Sequence, residues 1–153
     1  MSLSHAITVI LVAAAPISEL RGALPLGISY GMPWEYAFTL SVIGNLIPVL
    51  PVLLLTGWAE RYLHRYAASR RFMEIVFART RRKGRLVVRY GALGLIMIVA
   101  IPLPATGAWT GAIAAFLMGM QARKAFALIT LGVLIAGVIV LITTKAGFYL
   151  FAG

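Results

Sequence analysis

The sequence predicts an all-α integral membrane protein with two full transmembrane helices and two opposed re-entrant helical hairpins in an inverted repeat. A cytoplasmic amphipathic helix is expected between the halves. Three observations carry this. Of 153 residues, 61% are hydrophobic and 12% charged, with a mean hydropathy of +0.96, which leaves too little charge to coat a soluble domain. The apolar segments come in two lengths, some near the roughly 20 residues needed to cross a hydrocarbon core and others near half of that. Finally, ten of the fourteen Lys and Arg residues lie between Arg61 and Arg89, as the positive-inside rule expects of a cytoplasmic loop between spans.

Residues 1–153 read as a single membrane domain whose first half is 1–58, with a hairpin over 3–33 and a span over 36–58. Leu3 to Ala15 is apolar but too short to cross, and Pro16 disfavours helix at the residue before it. Its small residues Ala13-Ala14-Ala15 also resemble a leader-peptide cleavage site, but no positive residue precedes the apolar run, so it is read as structure. The stretch Pro16-Ile17-Ser18-Glu19-Leu20-Arg21-Gly22-Ala23-Leu24-Pro25 is then expected as a polar break, with a short helix from Ala23 to Gly31. Met32-Pro33-Trp34 ends the hairpin, and Trp34 and Tyr36 are aromatics of the kind that sit at a membrane interface. The span that follows carries Asn45, Pro48 and Pro51, which predict a kink.

Residues 59–84 form the amphipathic cytoplasmic segment. Tyr62, Leu63, Tyr66, Met73, Val76 and Phe77 share one helical face, with Glu60, Arg61, His64, Arg71 and Arg79 opposite, which suits a helix lying on an anionic leaflet. The second half, 85–153, repeats the theme with a hairpin over 86–120 and a span over 125–144, ended by Lys145. Its break is Ile101-Pro102-Leu103-Pro104-Ala105-Thr106-Gly107-Ala108-Trp109-Thr110-Gly111. Gly107, Gly111, Ala115 and Gly119 recur at four-residue spacing, a stripe that lets helices approach closely in lipid.

Sidedness follows from charge. If both breaks are re-entrant, the basic loop 60–90 and Arg123-Lys124 face the cytoplasm, Arg21 lies in the membrane and Lys145 lies outside. Four simple spans would put Arg123 and Lys124 outside, against the bias. Aligning Gly22-Ala23 with Gly107-Ala108 relates the halves as an inverted repeat, a recurrent transporter design in which broken helices meet near the midplane.

Glu19 is the one acid and Arg21 the one base predicted at membrane depth, and such residues usually face a cavity or a partner. Glu19 is expected to exchange a proton and Arg21 to hold an anionic headgroup; mutual pairing that merely holds the hairpin is the alternative. Gly22 and Pro25 belong to the same break. Across from it, Pro102, Pro104, Thr106 and Gly107 offer freed carbonyls, a hydroxyl and helix N-terminal N–H groups, a ready anion site. Arg89 and Arg123 flank the second hairpin as headgroup contacts or as snorkelling anchors. Asn45 is expected as interhelical glue or a substrate contact.

Glu19-Leu20-Arg21-Gly22-Ala23-Leu24-Pro25-Leu26-Gly27, together with Pro102-Leu103-Pro104-Ala105-Thr106-Gly107-Ala108-Trp109-Thr110-Gly111, resembles the small multidrug export protein family, which looks like a distant relative of the DedA superfamily. The resemblance covers nearly the whole chain. It implies two facing re-entrant hairpins and a role in moving lipids, including polyprenyl phosphate carriers, with Glu19 and Arg21 matching the charged pair of the first hairpin. The second hairpin departs from the DedA pattern, having Thr106 where a charge is expected.

The function expected is a proton-linked membrane transporter or lipid flippase for an anionic amphipath such as a phospholipid or polyprenyl phosphate. A small exporter of cationic compounds and a non-catalytic assembly factor are the alternatives. An enzyme is not expected: the chain has no Asp and no Cys, no H-E-x-x-H and no G-x-S-x-G. No cofactor or metal is expected. The partners are the lipid bilayer, an anionic lipid or small amphipath and a second copy in a homodimer, with no nucleic acid. The expected location is the cytoplasmic membrane of a prokaryote.

Overall fold

A computed structural model describes residues 2–55, 90–101 and 106–151. The amphipathic segment 59–84, Arg89, Pro102 and Pro104 lie outside the described residues. Those described fold into six helices: α1 Leu3–Ala14, α2 Glu19–Ser29, α3 Trp34–Leu46, α4 Ala92–Ala100, α5 Ala108–Leu117 and α6 Ala122–Phe151. No strand occurs among them.

Among the described residues, two helical stretches are long and apolar enough to cross a membrane: α3 with its continuation, Trp34–Leu55, and α6. The other four run from 9 to 12 residues, or about 14–18 Å at 1.5 Å per residue. That is roughly half of a hydrocarbon core. Each half of the chain thus runs short helix, break, short helix, tight turn, long helix.

The two tight turns share one construction. Gly31 (φ 74°) follows α2, with its N–H on the Ile28 carbonyl at 2.9 Å and the Met32 N–H on Gly27 at 3.2 Å. Gly119 (φ 63°) follows α5, with its N–H on Phe116 at 2.8 Å and the Met120 N–H on Ala115 at 3.0 Å. This is the Schellman pattern, which closes the last helical carbonyls and needs a left-handed residue where glycine fits best. The same spacing that separates Gly31 from Gly119 separates Met32 from Met120, Gly44 from Gly132, and the start of α3 from that of α6. The expected register, Gly22-Ala23 on Gly107-Ala108, is displaced from it.

Three other boundaries differ from expectation. The first break is only Ala15 to Ser18, because α2 starts at Glu19 and carries Pro25 inside it. An internal proline removes one intrahelical bond, a loss that neighbouring helices and side chains can cover. The polar residues Glu19 to Gly22 therefore form the first turn of a helix instead of an unwound loop. The second helix of that hairpin ends at Ser29, where the turn begins. At the other end, α6 runs through Lys145 to Phe151. Lysine is a good helix former, and the Lys145 ammonium lies over the Trp34 ring, 4.3 Å from the centroid, so the charge is met on the side of the helix.

Small residues set the packing. α1 lies against α3 where Gly44 meets the Ile10 carbonyl, which an added Cβ would approach to 2.6 Å. α4 lies against α6 in the corresponding way, at Gly132 over Val99 and the Ile96 carbonyl. Of the predicted stripe, Gly111 and Ala115 pack inward, whereas Gly107 and Gly119 belong to the helix start and the turn. Contacts of α2 and α3 with α6 join the halves, around Leu20, Leu24, Ile129 and Val133. Outward faces stay apolar, with Ile43, Leu54, Leu134 and Ile142 exposed, a surface suited to acyl chains rather than water.

Candidate functional site

The site grows out of the loss of one N–H. In a continuous helix the Val12 carbonyl would bond the N–H of residue 16, which proline lacks. The Ser18 hydroxyl takes its place, donating to the Val12 carbonyl at 2.8 Å, and the Ala15 N–H reaches the Leu11 and Val12 carbonyls at 3.1 and 3.3 Å. The Ala14 carbonyl accepts from the indole Nε1–H of Trp109 at 3.2 Å. A group from the second half therefore completes the break in the first.

Chain geometry then turns Glu19 toward α5. Glu19 is the one non-glycine residue with positive φ (48°) among those described, and it is 5% exposed. Its carboxylate accepts backbone hydrogen bonds from the N–H groups of Ala108 and Trp109, the first two residues of α5. No side chain of α5's own caps that terminus. The N–H groups of a helix start favour an anion, and here a carboxylate from the other half supplies it. Gly107 makes the approach possible: at φ 142° it lies where L residues are strained, and a Cβ there would overlap Glu19 Oε2.

Arg21 grips the same loop. Its Nη2 donates to the Thr106 carbonyl at 2.7 Å and to Thr106 Oγ1 at 3.1 Å. The Thr106 hydroxyl donates in turn to the Ile101 carbonyl at 3.0 Å, across the second break. Arg21 is half-buried and attracts the Glu19 carboxylate electrostatically. The two side chains act on adjacent parts of one loop, the acid on the N–H end of α5 and the base on the carbonyl before it.

Of the residues expected at the site, the structure brings Glu19, Arg21, Thr106 and Gly107 together. Gly22 instead packs beneath it, against the Ser18 Cβ and Val12, and Pro25 lies one turn further along α2. Arg123 is exposed at the start of α6, beyond the far end of α5 and so about 15 Å from Glu19 along its axis. Trp109 and Ser18 were not singled out as side chains. The missing N–H of Pro16 was a signal for Ser18, whereas the Trp109 bond spans the two halves and left no local trace. A separate half-open cavity of about 440 Å³, lined by His5, Tyr30, Met32 and Tyr36 among others, opens at the other end of α2.

Comparison with curated proteins and with solved structures gives no match. Residues 19–139 match the family described as "Putative small multi-drug export protein", a stretch that runs from Glu19 through both breaks into α6. With two apolar helices of spanning length and a match over most of its length, the chain is an integral membrane protein and belongs to the small multi-drug export protein family.

Proposed function

We propose that this protein is a proton-linked transporter, not an enzyme, and that it moves an anionic amphipath such as a phospholipid or polyprenyl phosphate across the bilayer. One observation carries the reading: the Glu19 carboxylate sits on the Ala108 and Trp109 N–H groups with Arg21 beside it. A carboxylate there is a stand-in for a substrate's phosphate or carboxylate. The N–H pair and the guanidinium form an anion site, and Glu19 competes for it while charged. When Glu19 takes up a proton it loses its claim, and a headgroup can replace it. Proton and anion then alternate at one place, which is the minimum that coupling requires.

The paired short helices and matching Schellman turns support two re-entrant hairpins related by an inverted repeat, with the site between them. Such an arrangement also supports a distant kinship with DedA proteins. The basic residues between Arg61 and Arg89 favour a cytoplasmic side for that segment, in the cytoplasmic membrane of a prokaryote. Because two long helices shield little from lipid, the working unit is a homodimer.

The family description favours a second reading, export of cationic drugs. Arg21 at the site disfavours a cation, since a like charge at short range costs energy where water is scarce. Proteoliposome flux separates the two. With an imposed pH gradient, a fluorescent phospholipid or short-chain polyprenyl phosphate is expected to move, and Glu19→Gln or Arg21→Ala is expected to slow it about tenfold or more, the equivalent of one charge-assisted hydrogen bond. Movement of a lipophilic cation in its place, or anion flux indifferent to both substitutions, overturns the reading.

A further inference from the structure

Among the described residues, two buried polar atoms on α3 have no hydrogen-bond partner. Ser41 Oγ and Asn45 Oδ1 are both buried and unpaired, in residues 0% and 3% exposed. Other helical hydroxyls turn back on their own backbone: Thr8 to Ser4, Thr39 to Glu35, Thr130 to Phe126 and Thr143 to Ile139, at 2.8–3.1 Å. That local bond is open to any hydroxyl in a helix, and Ser41 forgoes it. Unsatisfied buried polar groups are rare in native proteins and call for an explanation.

The register of α2 and α3 supplies one. The two helices run antiparallel from the Gly31 turn, and Gly27 faces Ala37, whose Cβ would lie 2.9 Å from a Cβ at Gly27. Counting one turn at a time away from that contact, Ala23 comes level with Ser41, and Glu19 comes level with Asn45. Ala23 is small and, like Ser41, fully buried. Arg21 is the charged neighbour that α2 itself provides. The described residues of α4 and α5 carry no titratable side chain, and those of α1, α3 and α6 carry theirs near the helix ends: His5, Glu35, Tyr36, Arg123, Lys124, Lys145 and Tyr149.

We propose that Asn45 and Ser41 are the second seat of Glu19, the one it occupies once protonated. A carboxylate only accepts hydrogen bonds and is suited by the α5 N–H groups, whereas a carboxylic acid has an O–H to donate and needs an acceptor. Asn45 Oδ1 is an unused acceptor at the same depth, and the Ser41 hydroxyl, one turn away, can donate to the acid's carbonyl oxygen. The proton comes from water and returns to water, and no other covalent bond changes. The pair stands unpaired here because Glu19 occupies its other seat. This rests on the proton-linked reading above and adds to it the second state of the coupling acid.

Infrared difference spectra of the reconstituted full chain, neutral against acidic pH, test it. The carboxylic acid C=O band that Glu19→Gln removes belongs to Glu19. In Asn45→Leu that band is expected to move to higher frequency as the acid loses its hydrogen bonds, with partial return in Asn45→Gln. Ser41→Ala, a milder change that leaves the fold alone, is expected to move it in the same direction by less. A Glu19 band at the wild-type frequency in both Asn45→Leu and Ser41→Ala overturns the second seat and leaves the proton-linked transporter standing. Absence of any titrating Glu19 band overturns the coupling role and the second seat together.

Discussion

Gly107 is the residue on which the site's geometry turns. Its φ of 142° and the Glu19 carboxylate over its Cα leave no place for a side chain. Gly107→Ala is expected to cost about 3 kcal/mol, combining a strained backbone with overpacking, and to displace Glu19 from the α5 N–H groups. Thermal unfolding in detergent should register the first effect, and a loss of proton-driven flux the second. Glu19 and Arg21 were legible in the sequence because charges at membrane depth are rare and expensive. Thr106 and Gly107 were legible as part of a break, although not as the loop that Arg21 grips. Ser41 was not legible at all, since a helical hydroxyl can always bond its own backbone, and only its failure to do so marks it.

At the scale of elements, close approach decides the packing. Gly44 on α3 and Gly132 on α6 each bring a short helix against a long one, backbone to backbone. Gly132→Ala puts a Cβ 2.7 Å from that of Val99 and is expected to lower stability by about 2 kcal/mol, since a packed interface yields little. Chemical or thermal denaturation in detergent checks this. The short-helix and long-helix pattern was legible because proline disfavours helix before it and because apolar length has a fixed meaning in a bilayer. The position of Pro25 inside α2 and the run of α6 past Lys145 were not. Pro25 sits inside α2 at the cost of one intrahelical bond, and Lys145, a good helix former, meets the Trp34 ring on the side of α6.

For the whole molecule, the matched turns at Gly31 and Gly119 raise the question of which side of the membrane each faces. Opposed hairpins place them on opposite sides. Single cysteines at Ser2 and Glu35 are expected to label from outside in oriented vesicles, and one at Gln121 from inside. All three positions are exposed, and the chain has no native cysteine to remove. Labelling of Glu35→Cys and Gln121→Cys from the same side overturns the inverted arrangement. The sequence bears on sidedness only through its basic residues, those between Arg61 and Arg89 and the pair Arg123-Lys124, because a helix looks alike from either end in composition.

The bond from Trp109 to the Ala14 carbonyl joins positions 95 residues apart, and this bears on the order in which the protein is made. A ribosome delivers the first hairpin to the membrane well before Trp109 or the α5 N–H groups exist. During that interval one backbone acceptor and one carboxylate of the nascent chain lack the donors that later cover them, in a medium that offers no water in exchange. The first half cannot reach its final state alone. It is expected to complete these bonds only when the second half arrives. Completion of the site is thus expected to be a docking of the two halves rather than a property of the first alone.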